Sequence, residues 1–196
     1  FIPDSKYYNR YYRKGGWKAT TVISLSIGQG EIGCTPLHLA NLCATIANRG
    51  FYYTPHIIKD SDNVTIDPKY KEKHYTMIDQ KHFSTVVKGM YRAVNSGFGS
   101  GATASIAAVE GLDICGKTGT AQNPHGKDHS TFLSFAPKDN PRIAISVYVE
   151  HGGFGASIAL PIASLIEELY LTDTIKRPEL VEYVKNLPYN PRHYAE

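Results

Sequence analysis

No stretch of the sequence is apolar over a run long enough to cross a bilayer. The best candidate, residues 143–149, falls far short of the ~20 residues such a helix needs and reads as a strand. Any membrane anchor lies outside these residues. Cysteine is scarce: Cys34, Cys43 and Cys115 make an odd count at no metal-ligand spacing. Their small or apolar neighbours mark all three as buried thiols with at most one bridged pair, which leaves the redox compartment open. Neither sign of charge dominates, since 21 Lys+Arg stand against 18 Asp+Glu and the net charge of +3 is too mild to argue for nucleic acid. Initiator Met and signal peptide are also lacking. The chain opens Phe1-Ile2-Pro3-Asp4 and reads like the middle of something longer.

What is present is ordinary globular composition: 196 residues, 42% hydrophobic and 20% charged, with 17 Gly and 11 Pro. It excludes a disordered tail, a collagen-like array and a coiled coil, and this length buries a core without disulfide staples. Residues 1–18 interleave Lys6, Arg10, Arg13, Lys14 and Lys18 with Tyr7, Tyr8, Tyr11, Tyr12 and Trp17. Gly15-Gly16 breaks any helix there, so a loop-rich surface segment is expected. Basic residues among aromatics suit a single-stranded nucleic acid or an anionic polymer. No matching basic stripe appears elsewhere, so a solvated loop with its rings packed back on the domain is the preferred reading.

Residues 21–27 form a short apolar run closed by Gly28-Gln29-Gly30 and Gly33. Thr35-Pro36 opens a helix, Thr as N-cap and Pro at the first position, with Leu37, Leu39, Ala40, Cys43, Ala44 and Ala47 near helical spacing. Gly50 ends it. The preceding glycines are not followed by Gly-Lys-Ser/Thr, which dismisses nucleotide binding. Residues 51–59 predict a strand, Asp60-Ser61-Asp62-Asn63 a turn, and 64–66 the return strand of a hairpin. Asp79 caps a second helix with Phe83, Val86, Val87, Met90, Tyr91 and Val94 on its apolar face, and a glycine-rich stretch, 97–101, follows. Three strands are predicted at 112–120, 131–135 and 142–149, joined by short connections that suit antiparallel neighbours. The last helix, 156–171, presents Ile158, Ile162, Leu165, Ile166 and Leu169 on one face. The Pro- and Tyr-rich tail from Thr172 is expected to be peripheral.

The sharpest local feature is Gly116-Lys117-Thr118-Gly119-Thr120, on a strand that follows the glycine-rich stretch. At a cleft edge such a strand recognises anions. Lys117 supplies charge, the Thr118 and Thr120 hydroxyls donate to a carboxylate, and Gly119 lets a substrate backbone approach. The Thr120 N–H can also point into an oxyanion hole. A strand end whose polar residues merely face water fits the same pattern, and the residues alone leave both readings open.

Lys-Thr-Gly is also the third motif of the penicillin-recognising serine enzymes, which carry Ser-x-x-Lys and Ser-x-Asn besides. Ser26-Ile27-Gly28-Gln29-Gly30 followed by Thr35-Pro36-Leu37 resembles the approach to a helix in class B penicillin-binding proteins. Lys117-Thr118-Gly119-Thr120-Ala121-Gln122, then Asp128-His129, Phe135-Ala136-Pro137 and Glu150-His151-Gly152-Gly153, is similar to their elongation-type branch, penicillin-binding protein 2. In that branch an Asn commonly stands where His151 does here. The resemblance covers residues 2–171.

The resemblance implies a transpeptidase whose serine attacks the D-Ala-D-Ala bond of a peptidoglycan stem peptide and passes the acyl group to an amine; β-lactams acylate the same serine. It implies that Lys117 adds positive potential and bonds the Ser-x-Asn serine. Thr118 and Thr120 would bind the terminal carboxylate, and the Thr120 amide would form half of the oxyanion hole. No serine in the chain is followed three residues later by Lys, so the nucleophile motif is absent from these residues. Ser61-Asp62-Asn63 spells the second motif but falls in the expected hairpin turn, downstream of Gly28-Gln29-Gly30, and is left out of the site. His125, Asp128 and His129 suggest metal ligands, yet they lie in a strand-to-strand loop with no cysteine nearby, and a cleft-rim role is preferred.

The expectation is therefore an α+β, partial β-lactamase/transpeptidase-like fold: an antiparallel sheet backed by helices, without the nucleophile-bearing helical lobe. Residues 1–171 would be the C-terminal portion of the transpeptidase domain and 172–196 a tail. Catalytic roles fall to Lys117 and Thr120, substrate binding to Thr118, Gly119 and Thr120, with no metal and no cofactor. Stem peptide, β-lactams and, through a parent anchored at the periplasmic face of the bacterial inner membrane, elongation-complex membrane proteins are the partners. Nucleic acid is not one. The chain alone is expected to be inactive and to self-associate through the uncovered helix 37–47. A non-catalytic β-lactam or muropeptide sensor is the alternative.

Overall fold

The computed structural model describes residues 1–13, 15–59, 65–97 and 99–187. The first segment is helical where a loop was expected. Asp4 accepts from the Tyr7 N–H at 2.8 Å and starts α1 (Ser5–Tyr11), which ends before Gly15-Gly16. Tyrosines one helical turn apart explain the difference: the Tyr8 and Tyr12 hydroxyls both donate to Glu31 and draw the helix onto that loop. Burial and the Glu31 bond push the Tyr8 phenol up to about 12, while the Tyr12 hydroxyl leads in lowering the Glu31 carboxyl. The apolar run after it is helical too, α2 (Ala19–Ser26), and none of its residues is buried.

α3 (Pro36–Ala47) starts as predicted, with the Thr35 hydroxyl accepting from the His38 N–H at 3.2 Å. It buries Cys43, Thr45 and Ala47 and ends at Arg49 and Gly50, both left-handed. A Cβ on Gly50 would stand 2.9 Å from the Phe83 ring. The strand that follows is short, β1 (Phe51–Tyr52), and its partner is not the predicted one. It pairs with β2 (His74–Tyr75), Phe51 opposite Tyr75, while residues 65–66 form no strand. Turn composition marked the bend, but pairing is settled by the later segment, reached after a turn capped by Asp67. Ser61-Asp62-Asn63 lies outside the described residues.

Asp79 caps a short turn that leads into α4 (Phe83–Asn95). Phe83, Val87, Met90 and Val94 are buried, whereas Val86 is exposed. The central sheet is antiparallel, β3 (Cys115–Ala121), β4 (His129–Ala136) and β5 (Ile143–Val149), with β4 in the middle. Lys117 stands opposite Leu133 and Gly119 opposite Thr131. One sheet face meets α3 and α4 through Cys43, Ala47, Val87, Met90, Cys115 and Phe135. The other packs Phe132, Ile114 and Ala136 against Leu160 and Ala163 of α5 (Ala159–Thr172). The result is helices on both faces of a small antiparallel sheet, the α+β arrangement expected.

The buried face of α5 differs from the predicted one. Leu165 is buried, but Ile166 and Leu169 are exposed, and Glu167 and Glu168 take interior positions instead. Glu168 is there because Arg177 meets it at 2.9 Å, at the head of α6 (Pro178–Lys185). The Arg177 guanidinium also donates to the carbonyls of Ser164 at 3.1 Å and Ile106 at 3.0 Å. Cys43 and Cys115 are buried as expected, and burial pushes the Cys115 thiol up to about 12. Cys34 is exposed, contrary to expectation, because the loop carrying it crosses the sheet edge rather than entering the core; all three thiols are free. Among the described residues no helix is long and apolar enough to cross a membrane.

Candidate active site

β3 is an edge strand, paired among the described strands with β4 alone. Beside that edge, over the sheet face that carries Lys117, Gly119, Thr131 and Leu133, lies a groove of about 780 Å³, walled by the loop after α2 and the start of α3. Ile32, Pro36, Leu39 and Leu133 give it an apolar lining, and Lys117, Thr118, Gly119 and Thr120 all contribute to it. The four residues singled out by sequence therefore come together at one cleft.

In an antiparallel strand the N–H and C=O of one residue point to the same side. The Thr120 carbonyl points outward, since it accepts from the Gln29 carboxamide at 3.0 Å, so the Thr120 N–H faces the groove side as well. Gln29 also accepts from the Gln122 N–H at 3.4 Å, filling two adjacent positions of the strand edge. The Thr118 carbonyl points outward too and accepts from the Lys117 ammonium at 2.7 Å. Lys117 thus lays its charge along the edge.

Side chains alternate across β3. The Thr120 hydroxyl accepts from the Gly155 N–H at 3.2 Å, so its own hydrogen stays available to donate. The Thr118 hydroxyl donates to the Thr103 hydroxyl at 3.2 Å. Gly119 has a packing reason of its own: a Cβ there would lie 2.5 Å from the Thr131 methyl group. Gly155 is tighter still, because its Cβ would fall 2.2 Å from the Gly119 carbonyl oxygen. The turn before α5 is therefore pressed against the backbone of the motif.

The sequence reading missed Gln29 and Thr103 as parts of this site. Gln29 carried a signal, since it lies between Gly28 and Gly30, both at positive φ in a turn. Its β3 partners lie 91 and 93 residues away, which no local pattern reports. Thr103 carried none. The histidine loop is tied into its own turn. Asp128 accepts from the Asn123 N–H at 3.1 Å, and the His129 ring nitrogen accepts from the His151 N–H at 3.0 Å. Among the described residues no group of three or more His, Cys, Asp or Glu is placed to hold a metal.

An edge strand that bears Lys-Thr-Gly-Thr and turns an amide outward beside a groove sits at the centre of a fold of the penicillin-binding transpeptidase class. Residues 8–168 match the family model of the penicillin binding protein transpeptidase domain, and the chain belongs to that family. It is 30% identical over 205 residues to the peptidoglycan D,D-transpeptidase MrdA of Haemophilus influenzae, covering 95% of this chain and 30% of that protein. The crystal structure of Pseudomonas aeruginosa PBP2 in complex with WCK 5153 superposes with a TM-score of 0.72 at 31% identity. The match covers 87% of this chain and 36% of that one. The imipenem acyl-enzyme of penicillin-binding protein A from M. tuberculosis gives 0.60 at 29% identity over 75% of this chain and 33% of its own. The chain thus spans about a third of the length of these relatives.

Proposed function

We propose that the chain is the substrate-binding portion of a serine-type peptidoglycan D,D-transpeptidase of the penicillin-binding protein 2 kind, which cross-links stem peptides and is acylated by β-lactams. Residues 1–171 form that portion and 172–196 its tail. The open edge of β3 carries the reading: an outward Thr120 N–H and the Lys117 ammonium lie along the strand edge beside one groove, and the Thr118 and Thr120 hydroxyls stand on the other side of the same strand. Lys117 supplies positive potential and bonds the serine of a Ser-x-Asn motif. The Thr118 and Thr120 hydroxyls hold the terminal D-Ala carboxylate, Gly119 gives the substrate backbone room, and the Thr120 N–H stabilises the oxyanion. The parent acts at the periplasmic face of the bacterial inner membrane, in lateral-wall growth and cell shape, with membrane proteins of the elongation complex.

With no Ser-x-x-Lys among its 196 residues, the chain by itself binds without acylation. A fluorescent penicillin is therefore expected to leave it unlabelled, while N-acetyl-D-Ala-D-Ala perturbs the amide resonances of residues 117–120. Covalent label on the chain, or a dipeptide that moves no β3 resonance, would overturn the proposal. Self-association belongs to the same reading, since Leu37 and Leu42 of α3 and Val22, Ile23 and Ile27 beside the groove are exposed. Sedimentation at micromolar concentration should show dimers or larger species, and a single monomer boundary would contradict this.

A further inference from the structure

We infer that Thr103 is a positioning residue for the carboxylate of the ligand, acting through Thr118; this rests on the proposed carboxylate role of the β3 threonines. The observation is the hydroxyl pair itself: Thr118 Oγ1 donates to Thr103 Oγ1 at 3.2 Å across 15 residues of sequence. A hydroxyl has one hydrogen and two lone pairs. While Thr118 gives its hydrogen to Thr103, it has none to give a carboxylate. When an anion arrives at the strand edge, Thr118 must turn that hydrogen away from Thr103 and toward it. Thr103 can then rotate its own hydrogen onto Thr118 Oγ1, so the pair keeps its bond with the polarity reversed and the Thr118 oxygen stays in place.

Thr120 shows the same logic already completed. Its oxygen accepts from the Gly155 N–H at 3.2 Å and its hydrogen is free to point outward. Each threonine hydroxyl of the motif thus has a donor held by another part of the fold, a fixed amide for Thr120 and a rotatable hydroxyl for Thr118. Thr103 is firmly placed for this. The neighbouring Ala104 N–H donates to the Ala93 carbonyl of α4 at 3.0 Å, Ala104 and Ala107 are buried, and the Ile106 carbonyl is held by Arg177 at 3.0 Å. The Thr103 side chain itself is exposed, so removing its hydroxyl leaves the core intact. With Thr103 unable to donate, a carboxylate must take the Thr118 hydrogen from an oxygen that nothing else orients.

The test titrates the 196-residue chain with N-acetyl-D-Ala-D-Ala and with the same dipeptide ending in a carboxamide, following the β3 amides by NMR. Wild type should bind the acid more tightly than the amide. Thr103→Val, which keeps the shape and loses the hydroxyl, should weaken the acid about three- to ten-fold, because Thr118 must then be ordered as the acid binds, and leave the amide unchanged. Thr103→Ser should restore the acid. Thr103→Val binding the acid like wild type would overturn the inference, as would an equal loss of acid and amide, the mark of a merely structural effect. A wild-type chain that binds the dipeptide without preferring the acid would instead overturn the carboxylate reading on which the inference stands.

Discussion

Glu167 of α5 is fully buried, and among the described residues neither of its carboxylate oxygens makes a hydrogen bond of good geometry, the nearby Ser134 hydroxyl included. Burial is the main cause that pushes its pKa up to about 8, and Ser134 and Arg177 pull it back only in part. The consequence for stability has a definite sign. A carboxyl whose folded pKa lies above its unfolded value of 4.5 contributes fully below pH 4.5, and that contribution drains away as pH rises toward 8. The total at stake is on the order of 5 kcal/mol, so denaturant midpoints should fall between pH 5 and pH 9. Glu167→Gln should flatten that slope and be the more stable form at pH 9; a wild-type midpoint unchanged across the range would refute it. The adjacent Glu168 shows the other way to bury a carboxylate. It is met by Arg177 and by the Lys176 N–H at 3.0 Å.

At the scale of elements, the loop between α2 and α3 is fastened to β3 by one side chain. Gln29 occupies the Thr120 carbonyl and the Gln122 N–H as a neighbouring strand would, covering an edge that otherwise exposes unpaired backbone. Gln29→Ala should speed hydrogen exchange at the Gln122 amide by about tenfold while leaving amides inside the β3–β4 ladder unchanged. Unchanged exchange at Gln122 would show that the loop is held by other means. The elements themselves were legible wherever their cause is local. Thr35 and Pro36 announce α3 because cap and first turn are adjacent in sequence, and the three sheet strands lie within a few residues of their predicted places. Where the cause is distant the reading failed. β1 chose a partner beyond a capped turn, and α5 turned Glu167 and Glu168 inward because the sheet and Arg177 outweigh its own hydropathy pattern.

For the whole molecule, the sheet with helices on both faces and the Lys117–Thr120 cleft could be read from residues and resemblance together, since a motif on an edge strand carries its geometry with it. The supports of that cleft could not. Gln29, Thr103 and Gly155 reach β3 from three different connections, and their sequence separations hide them from any periodic pattern. Arg177 extends this furthest. Its guanidinium joins Glu168 and Ser164 of α5 to the Ile106 carbonyl, a few residues along the chain from the hydroxyl that touches Thr118. The segment expected to be peripheral is thereby fastened both to α5 and to the connection that carries Thr103. Substitutions around residue 177 therefore belong among those to examine when affinity changes without any change in the groove.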